Sequence, residues 1–173
     1  MQLFLIRHPP PAVAPGTCYG STDLALAAPA AEAANRIRSL LPPGIPLYSS
    51  PLRRCRELAE QLHAKPLYDE RLREMHFGAW EMQAWSLLGR VALDGWAADP
   101  LGFVPPGGES VAQLRRRVLD FLDELGAKGV TAAALVTHAG VMKIAVGHHR
   151  ALPEGDWLGL AFDYGAVLEI DWT

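Results

Sequence analysis

Two histidines stand at positions suited to phosphoryl chemistry. His8 follows Arg7 at the end of an apolar run, and His138 follows Thr137 at the end of another. Arginine presents a rigid fork of donors that matches phosphate oxygens, so we expect Arg7 and Arg54 to hold a phosphate. A neutral imidazole can attack phosphorus as a nucleophile while arginines stabilise the charge on the phosphoryl oxygens. The pattern predicts phosphate-ester chemistry that needs no metal cage.

Buried strands must position these residues. Leu3–Ile6 is an unbroken apolar run, which is typical of a strand covered on both faces in a parallel sheet. Pro9 to Pro11 cannot donate hydrogen bonds to a neighbouring strand, so this strand must end at His8. Two further apolar segments predict strands that end at Ser50 and His138. Because ligands of open α/β sheets bind beyond the carboxyl ends of parallel strands, we expect the three polar ends to share one crevice.

Helices are predicted between these strands, which indicates an alternating α/β chain. Ser50 can cap a helix that has Pro51 as its first residue, and prolines also flank the preceding helix. The predicted helices cover residues 29–41, 50–63, 109–125 and 141–149, a helical insert covers about 66–109, and GAVLEIDW predicts a last strand. We therefore expect one domain over residues 1–173, a three-layer α/β/α sandwich with a mostly parallel central sheet.

The sequence lacks the residue patterns of other phosphate-handling enzymes and of zinc enzymes. The position that a cysteine phosphatase loop gives to arginine holds Leu24 after Cys18 and Gln61 after Cys55. No G-x-x-x-x-G-K-[ST] loop is present, which excludes a P-loop nucleotide enzyme. Neither an H-E-x-x-H motif nor clustered cysteine and histidine spacing supports zinc. We expect no metal and no cofactor, and we expect both cysteines to be reduced and structural.

The composition favours a small-molecule phosphate monoester as partner over a polymer or a membrane. Of the 173 residues, 50% are apolar and 20% are charged, which indicates a folded globular protein. The formal net charge of −3 gives no basic field that would attract nucleic acid or an anionic membrane. No apolar run approaches the ~20 residues that span a bilayer, and the apolar start is too short for a signal peptide. We expect a cytoplasmic protein and leave homodimer formation open.

Five segments taken together resemble a known family. In chain order they are LIRHP, YSSPLRRCRELAE, LREMHFGAWE, PPGGES and LVTHAGVMK, between residue 3 and about residue 144. They are similar to the successive motifs of the histidine phosphatase superfamily, the group that includes cofactor-dependent phosphoglycerate mutases. The resemblance implies a phosphoglycerate mutase-like fold and a metal-independent phosphomonoesterase that works through a phosphohistidine intermediate.

The resemblance also implies a role for each matching residue. His8 would be the nucleophile that becomes phosphorylated, and His138 beside it would stabilise the transition state. Arg7 and Arg54 would hold the phosphoryl group. Glu74, in the segment LREMHFG, would protonate the leaving oxygen and later take a proton from the attacking water. The choice of Arg54 over its neighbouring arginines, and of Glu74 over other carboxylates, comes from the family motifs.

The details of the motifs indicate a subgroup. Pro9, Met82 and Ala139 depart from the usual family pattern, and none of them removes a reacting group. The segments PGTCYGSTDLALA, FGAWEMQAW and GWAADPLGFVPPGGES look most like α-ribazole phosphatases of cobalamin assembly, which implies α-ribazole 5′-phosphate as substrate. Four aromatic residues of the insert could form an apolar wall for its benzimidazole or could belong to the core, namely Phe77, Trp80, Trp85 and Trp96.

Two other functions stay open from the sequence. One is a phosphoglycerate mutase or a sugar-(bis)phosphate phosphatase of the same superfamily, which the short chain and small insert disfavour. The other is a non-catalytic phosphoester-binding module, which the complete set of reacting residues disfavours. Glu70 and Glu81 are the carboxylates that rival Glu74. We expect Arg115 to Arg117 and His148-His149 to be solvent-exposed.

Overall fold

The computed structural model describes residues 1–173, and a five-stranded sheet forms its centre. The strands are β1 (Gln2–Arg7), β2 (Leu47–Ser49), β3 (Leu67–Tyr68), β4 (Ala132–Thr137) and β5 (Val167–Asp171). The helices are α1 (Ala31–Arg38), α2 (Arg53–Leu62), α3 (Arg90–Ala98), α4 (Val111–Ala127) and α5 (Ala139–His149). None of these helices combines the length and the apolar composition that a membrane-spanning helix requires.

The strand order brings the polar strand ends together. The sheet runs β3-β2-β4-β1-β5, so β4 lies between β1 and β2 and pairs with both in parallel. Arg7 lies opposite Thr137, and Ser49 lies opposite Val136. The prediction that the three strands end at one edge is confirmed. β5 is the one antiparallel member and pairs with β1.

Both faces of the sheet are covered by helices, which confirms the three-layer sandwich. Successive side chains of a strand point to opposite faces. Leu3 and Leu5 accordingly belong to the core cluster under α4 and α5, whereas Phe4 and Ile6 belong to the cluster under α1 and α2. All four side chains are buried, which explains why β1 is apolar without alternation.

Two elements of the structure differ from the prediction: helix α2 starts later, and strand β3 was not predicted. Helix α2 begins at Arg53 rather than at Pro51, because the Ser50 hydroxyl accepts a hydrogen bond from the Leu52 amide and contacts His138 instead of capping. The Arg53 amide donates to Asp23 Oδ1 at 2.6 Å, so a distant aspartate satisfies the first turn. Strand β3 was missed by the pattern, because its two residues are both exposed and show no apolar alternation.

The insert is less helical than predicted. Between residues 66 and 109, α3 is the only α-helix, and the remainder is β3, loops and three short 3₁₀ turns. The insert is tied to the loop that follows β1, since the Cys18 amide donates to Gln83 O at 2.7 Å and the Met82 amide donates to Cys18 O at 2.8 Å. Met82 has a φ of 64°, a left-handed conformation that favours glycine. Cys18 is buried against Trp80, which supports its structural assignment.

The prediction that Arg115 to Arg117 are solvent-exposed is wrong for two of the three residues. Arg117 donates to the carbonyls of Arg71 and Arg73 at 2.7 Å each and to Glu74 O at 3.1 Å, and it also pairs with Glu109. Arg115 pairs with Glu154, and only Arg116 is exposed. The periodic pattern could not show this, because the partners of Arg117 are backbone carbonyls of a loop distant in sequence.

Replacing Arg117 with methionine is expected to lower the free energy of unfolding by about 2 to 4 kcal/mol, because several partly buried acceptors lose a charged donor together. Urea denaturation measures the loss. The matched control is Arg116→Met on the same helix, which should change stability by less than about 0.5 kcal/mol. Equal midpoints for the two variants would show that the carbonyl contacts contribute nothing.

Candidate active site

The two predicted reacting histidines lie side by side. Their ring centroids are 5.1 Å apart, and the rings meet edge to face. His8 follows β1, and His138 is the N-cap residue of α5 directly after β4. Both side chains are buried. The pairing of β1 with β4 is therefore sufficient to bring them together.

Hydrogen bonds assign the tautomer of His8. Its Nδ1 lies 2.6 Å from Pro9 O, and because a carbonyl oxygen only accepts, Nδ1 carries the proton. Nε2 is then the unprotonated nitrogen, and it accepts a hydrogen bond from Arg54 Nε at 3.3 Å. Pro9 departs from the usual family pattern, but it can still accept this hydrogen bond, because proline lacks an N–H and retains its carbonyl oxygen. His8 thus presents a nucleophilic lone pair beside a guanidinium group.

Arg54 is completely buried and held by the loop that follows β1. Its Nη2 donates to Gly20 O at 2.6 Å and its Nη1 donates to Thr22 O at 2.8 Å. Glu81 holds this loop in turn by accepting hydrogen bonds from the amides of Ser21 and Thr22. Burial raises the pKa of Glu81, but hydrogen bonds from the Thr22 hydroxyl and from the Ser21 and Phe77 amides outweigh burial and leave this pKa lower than usual. Glu81 is therefore an ionised structural anchor and not a rival general acid.

Arg7 has a donor without a protein acceptor. Its Nη1 donates to Phe162 O at 2.5 Å, and its guanidinium carbon lies 3.8 Å from the centroid of the Tyr164 ring. Its Nε is buried and has no hydrogen-bond partner. An unsatisfied buried N–H costs free energy, so an anion oxygen at this position would be favoured. This arrangement suits the predicted phosphate-holding function.

His138 is supported from beneath by α2 and the residues before it. Its Nε2 lies 2.8 Å from Ser50 Oγ and 3.4 Å from Cys55 Sγ. Cys55 is fully buried, and burial raises the pKa of its thiol. The thiol is therefore a packing neighbour of His138 and not a reactive thiolate. The Ser50 hydroxyl orients the imidazole.

Glu74 sits on the amino-terminal end of α5. Its Oε2 accepts from the Gly140 amide at 3.0 Å, and its Oε1 accepts from the Met75 amide at 2.9 Å. A Cβ at position 140 would lie 2.1 Å from Glu74 Oε1, so only glycine allows this approach. The structure thus brings all five predicted residues, His8, Arg7, Arg54, Glu74 and His138, to one end of the sheet.

A cavity of about 220 Å³ opens beside His8, Arg7 and Glu74. Its walls are mainly apolar and include the aromatic residues Phe77, Trp85, Trp96 and Trp157. Trp85 and Trp96 stack with their centroids 5.8 Å apart and their planes inclined by 13°. Trp80 is buried in the core beneath them. The sequence left open whether the four insert aromatics form a cavity wall or belong to the core. Three of them, Phe77, Trp85 and Trp96, line the cavity, and Trp80 belongs to the core.

Comparison with known proteins decides the family. The family model for the histidine phosphatase superfamily (branch 1) matches residues 3–173. The chain belongs to the histidine phosphatase superfamily. A phosphoglycerate mutase from Thermus thermophilus is 36% identical with a TM-score of 0.81, over 99% of this chain and 94% of that chain. The alpha-ribazole phosphatase from Shigella flexneri is 25% identical with a TM-score of 0.86, over 100% of this chain and 91% of that one. The phosphoglycerate mutase-like fold is confirmed.

One curated relative was also found, a Hydrogenobacter thermophilus protein named "Putative phosphoserine phosphatase 2". It is 32% identical over 107 residues, which cover 58% of this chain. The match spans about half of that relative, 53% of its length. Members of the histidine phosphatase superfamily that resemble this chain thus carry three different substrate names.

Burial keeps both histidines of this histidine phosphatase superfamily member neutral. Burial is the main cause that lowers the pKa of His8, to about 3, and the nearby charge of Arg54 adds to the effect. The pKa of His138 is lowered well below its ordinary value, again first by burial and then by Arg54. At neutral pH, His8 Nε2 is therefore unprotonated, which is the state that attack on phosphorus requires.

Acid should destabilise the fold through His8. The ordinary pKa of 6.5 falls to about 3 on folding, so the unfolded chain binds the proton more tightly. This contribution to stability is complete above about pH 7 and is lost progressively as the pH falls towards 3. Between about pH 7.5 and about pH 5, wild type should lose about 2 kcal/mol more unfolding free energy than His8→Asn. Urea titrations test this, with the exposed His149→Asn as the control that should follow wild type.

The sequence did not reveal four other residues of this site. Lys143 and Trp157 line the cavity, and Tyr19 and Tyr164 lie against the arginines. Lys143 could have been found, because it stands three residues after Gly140 and so shares its helix face. Tyr164 and Trp157 carried no such signal, since Tyr164 lies in a loop and Trp157 in a 3₁₀ helix, both beyond the five motifs.

Proposed function

We propose that this protein is a metal-independent phosphomonoesterase that works through a phosphohistidine at His8. His8 Nε2 would attack phosphorus, and the bond to the leaving oxygen would break as that oxygen takes a proton from Glu74. Water would then attack the phosphorus of phosphohistidine, give its proton to Glu74 and release inorganic phosphate. Arg7, Arg54 and His138 would stabilise the phosphoryl oxygens in both steps. The assigned tautomer of His8 beside the buried guanidinium of Arg54 supports this chemistry.

We further propose α-ribazole 5′-phosphate as the substrate, with a place in cobalamin assembly. The observation that carries this proposal is the aromatic cavity contiguous with His8. Its stacked pair, Trp85 and Trp96, offers an extended apolar surface that suits the flat benzimidazole of α-ribazole. Charged leaving groups such as serine or glycerate would leave this surface without a matching partner. The likeness to the Shigella flexneri enzyme supports the same choice.

Lys143 favours a second candidate, a phosphoserine phosphatase or a phosphoglycerate mutase. Its Nζ donates to Leu158 O at 2.5 Å and has further donors. Burial lowers the pKa of Lys143, while the charge of Glu74 acts in the opposite direction. An ammonium group in the leaving-group cavity could pair with the carboxylate of phosphoserine or phosphoglycerate. We prefer the first candidate because Lys143 is the only cation among largely apolar cavity walls away from the phosphate end.

The proposed function also places the protein in the cytoplasm. Cys18 and Cys55 are buried free thiols, which suits the reducing cytoplasm. The partner would be a small phosphate monoester, anionic at its phosphate, whose leaving group is neutral and aromatic. Glu74 also lines a second cavity, whose other walls are polar and charged residues and glycines. This polar cavity would allow water to approach the carboxylate while the leaving group occupies the apolar one.

The decisive experiment compares kcat/KM for α-ribazole 5′-phosphate, phosphoserine, 3-phosphoglycerate and p-nitrophenyl phosphate, all with chelator present. We expect α-ribazole 5′-phosphate to be preferred by at least about 100-fold, from the aromatic contacts and apolar burial of its base. Trp85→Leu should reduce this preference and leave p-nitrophenyl phosphate turnover within about 3-fold. Preference for phosphoserine, lost in Lys143→Met, would establish the second candidate. Binding of all four esters without phosphate release would instead indicate a non-catalytic module.

A further inference from the structure

Two tyrosines from opposite ends of the chain join over the phosphate-binding arginines. The hydroxyls of Tyr19, after β1, and Tyr164, before β5, lie 2.6 Å apart. The guanidinium carbon of Arg7 lies 3.8 Å from the Tyr164 centroid, and that of Arg54 lies 5.4 Å from the Tyr19 centroid. The Tyr164 ring also lies 5.6 Å from the ring of His8. Each tyrosine therefore lies against one arginine and is linked to the other tyrosine.

The loop that carries Tyr164 is fastened to the end of β1. The Gly165 amide donates to Arg7 O at 3.1 Å and to His8 O at 3.3 Å. The Arg7 amide donates to Ala166 O at 3.0 Å, and the Arg7 side chain donates to Phe162 O. These contacts surround Arg7 with backbone from one loop. The Tyr164 ring is thus held in register with the nucleophile strand.

The link between the tyrosines is a hydrogen bond between neutral phenols. Burial is the main cause that raises the pKa of Tyr19 above its ordinary range, and the hydrogen bond to Tyr164 adds to it. A neutral phenol ring presents an electron-rich face that attracts a guanidinium group. Arg7 and Arg54 carry like charges and repel each other when they converge on one site. Two linked aromatic faces would restrain both cations in spite of that repulsion.

We propose that Tyr19 and Tyr164 are positioning residues that hold the Arg7 and Arg54 guanidinium groups ready to bind phosphoryl oxygens. The pair would act through the arginines and would not itself take part in bond making or breaking. The inference rests on the proposed function, because it assigns these arginines to the phosphoryl group. It predicts that the tyrosines determine phosphate affinity more than the chemical step.

Three variants separate the effect of the Tyr164 ring from that of the hydrogen bond between the two tyrosines. Tyr164→Leu removes both the ring and the hydrogen bond, Tyr164→Phe removes only the hydrogen bond, and Tyr19→Phe removes it from the other side. Calorimetry with inorganic phosphate gives Kd, and p-nitrophenyl phosphate gives KM and kcat. Tyr68→Leu, at an exposed tyrosine on β3, is the control and should match wild type.

We expect Tyr164→Leu to weaken phosphate binding and raise KM by about 3- to 30-fold, with a smaller change in kcat. Both phenylalanine variants should stay within about 3-fold of wild type, since the cation-facing rings are retained. An unchanged Kd in Tyr164→Leu, or a fall in kcat at constant KM, would overturn the inference. Phosphate binding is read without turnover, so a wild type that binds phosphate but releases none from any ester would refute only the proposed function.

Discussion

Replacing His8 with asparagine is expected to reduce phosphate release by at least about 10⁴-fold, the scale seen when the nucleophile of a catalytic unit is removed. Asparagine is polar and smaller, and it offers no nitrogen lone pair for attack on phosphorus. The fold should be retained, because the asparagine side chain would stay among the same neighbours at the end of β1. Steady-state release from p-nitrophenyl phosphate, compared with circular dichroism of the same sample, measures both effects.

The same variant tests the intermediate. A short incubation of wild type with ³²P-labelled ester, quenched in alkali, should leave label on the chain, because a phosphorus–nitrogen bond to imidazole survives base better than acid. His8→Asn should carry none, and His149→Asn, at an exposed helical position, should carry as much as wild type. Label on the His8→Asn chain would mean that another group is the nucleophile. Full turnover by that variant would refute the phosphohistidine proposal altogether.

The positions of the reacting residues were predictable where local chemistry ends an element. Proline cannot extend a strand, so the end of β1 at His8 follows from the residues after it. The continuous burial of β1 and β4 follows from coverage on both sheet faces, which apolar runs indicate. Parallel pairing of β1 with β4 then brings His8 and His138 together, but that these two strands are neighbours was an inference from topology rules and the family likeness. Arg54 and Glu74 needed the family motifs, because several arginines and carboxylates stand near each of them.

Contacts between distant loops could not be predicted in this way. Arg117 stands in the middle of a helix, and its carbonyl acceptors belong to residues 71 to 74, more than forty positions earlier. Tyr164 meets Tyr19 across 145 residues, with no periodicity to connect them. Strand β3 has two exposed residues and owes its existence to the free edge of β2. In each case, tertiary contact decides what the local pattern leaves undetermined.

Replacing Glu74 with glutamine should lower turnover of α-ribazole 5′-phosphate by about 10²- to 10⁴-fold, the usual contribution of general acid–base catalysis. The amide keeps the shape and can still accept from the Gly140 amide, but it has no proton to give to the leaving oxygen. p-Nitrophenol leaves without protonation, so phosphorylation of His8 by its ester should be affected much less. The attack of water still needs a base, so labelled phosphohistidine should accumulate in Glu74→Gln.

Displacing Glu74 without changing it provides the complementary test. In Gly140→Ala the new methyl group would overlap Glu74 Oε1, so the carboxylate must move from the end of α5. We expect this variant to lose turnover in the same direction as Glu74→Gln. Gly126→Ala is the matched control, because a Cβ there meets no atom within 4 Å, and it should be as active as wild type. Normal turnover in both Glu74→Gln and Gly140→Ala would show that proton transfer belongs to another group, and the polar cavity beside Glu74 would then have no role in hydrolysis.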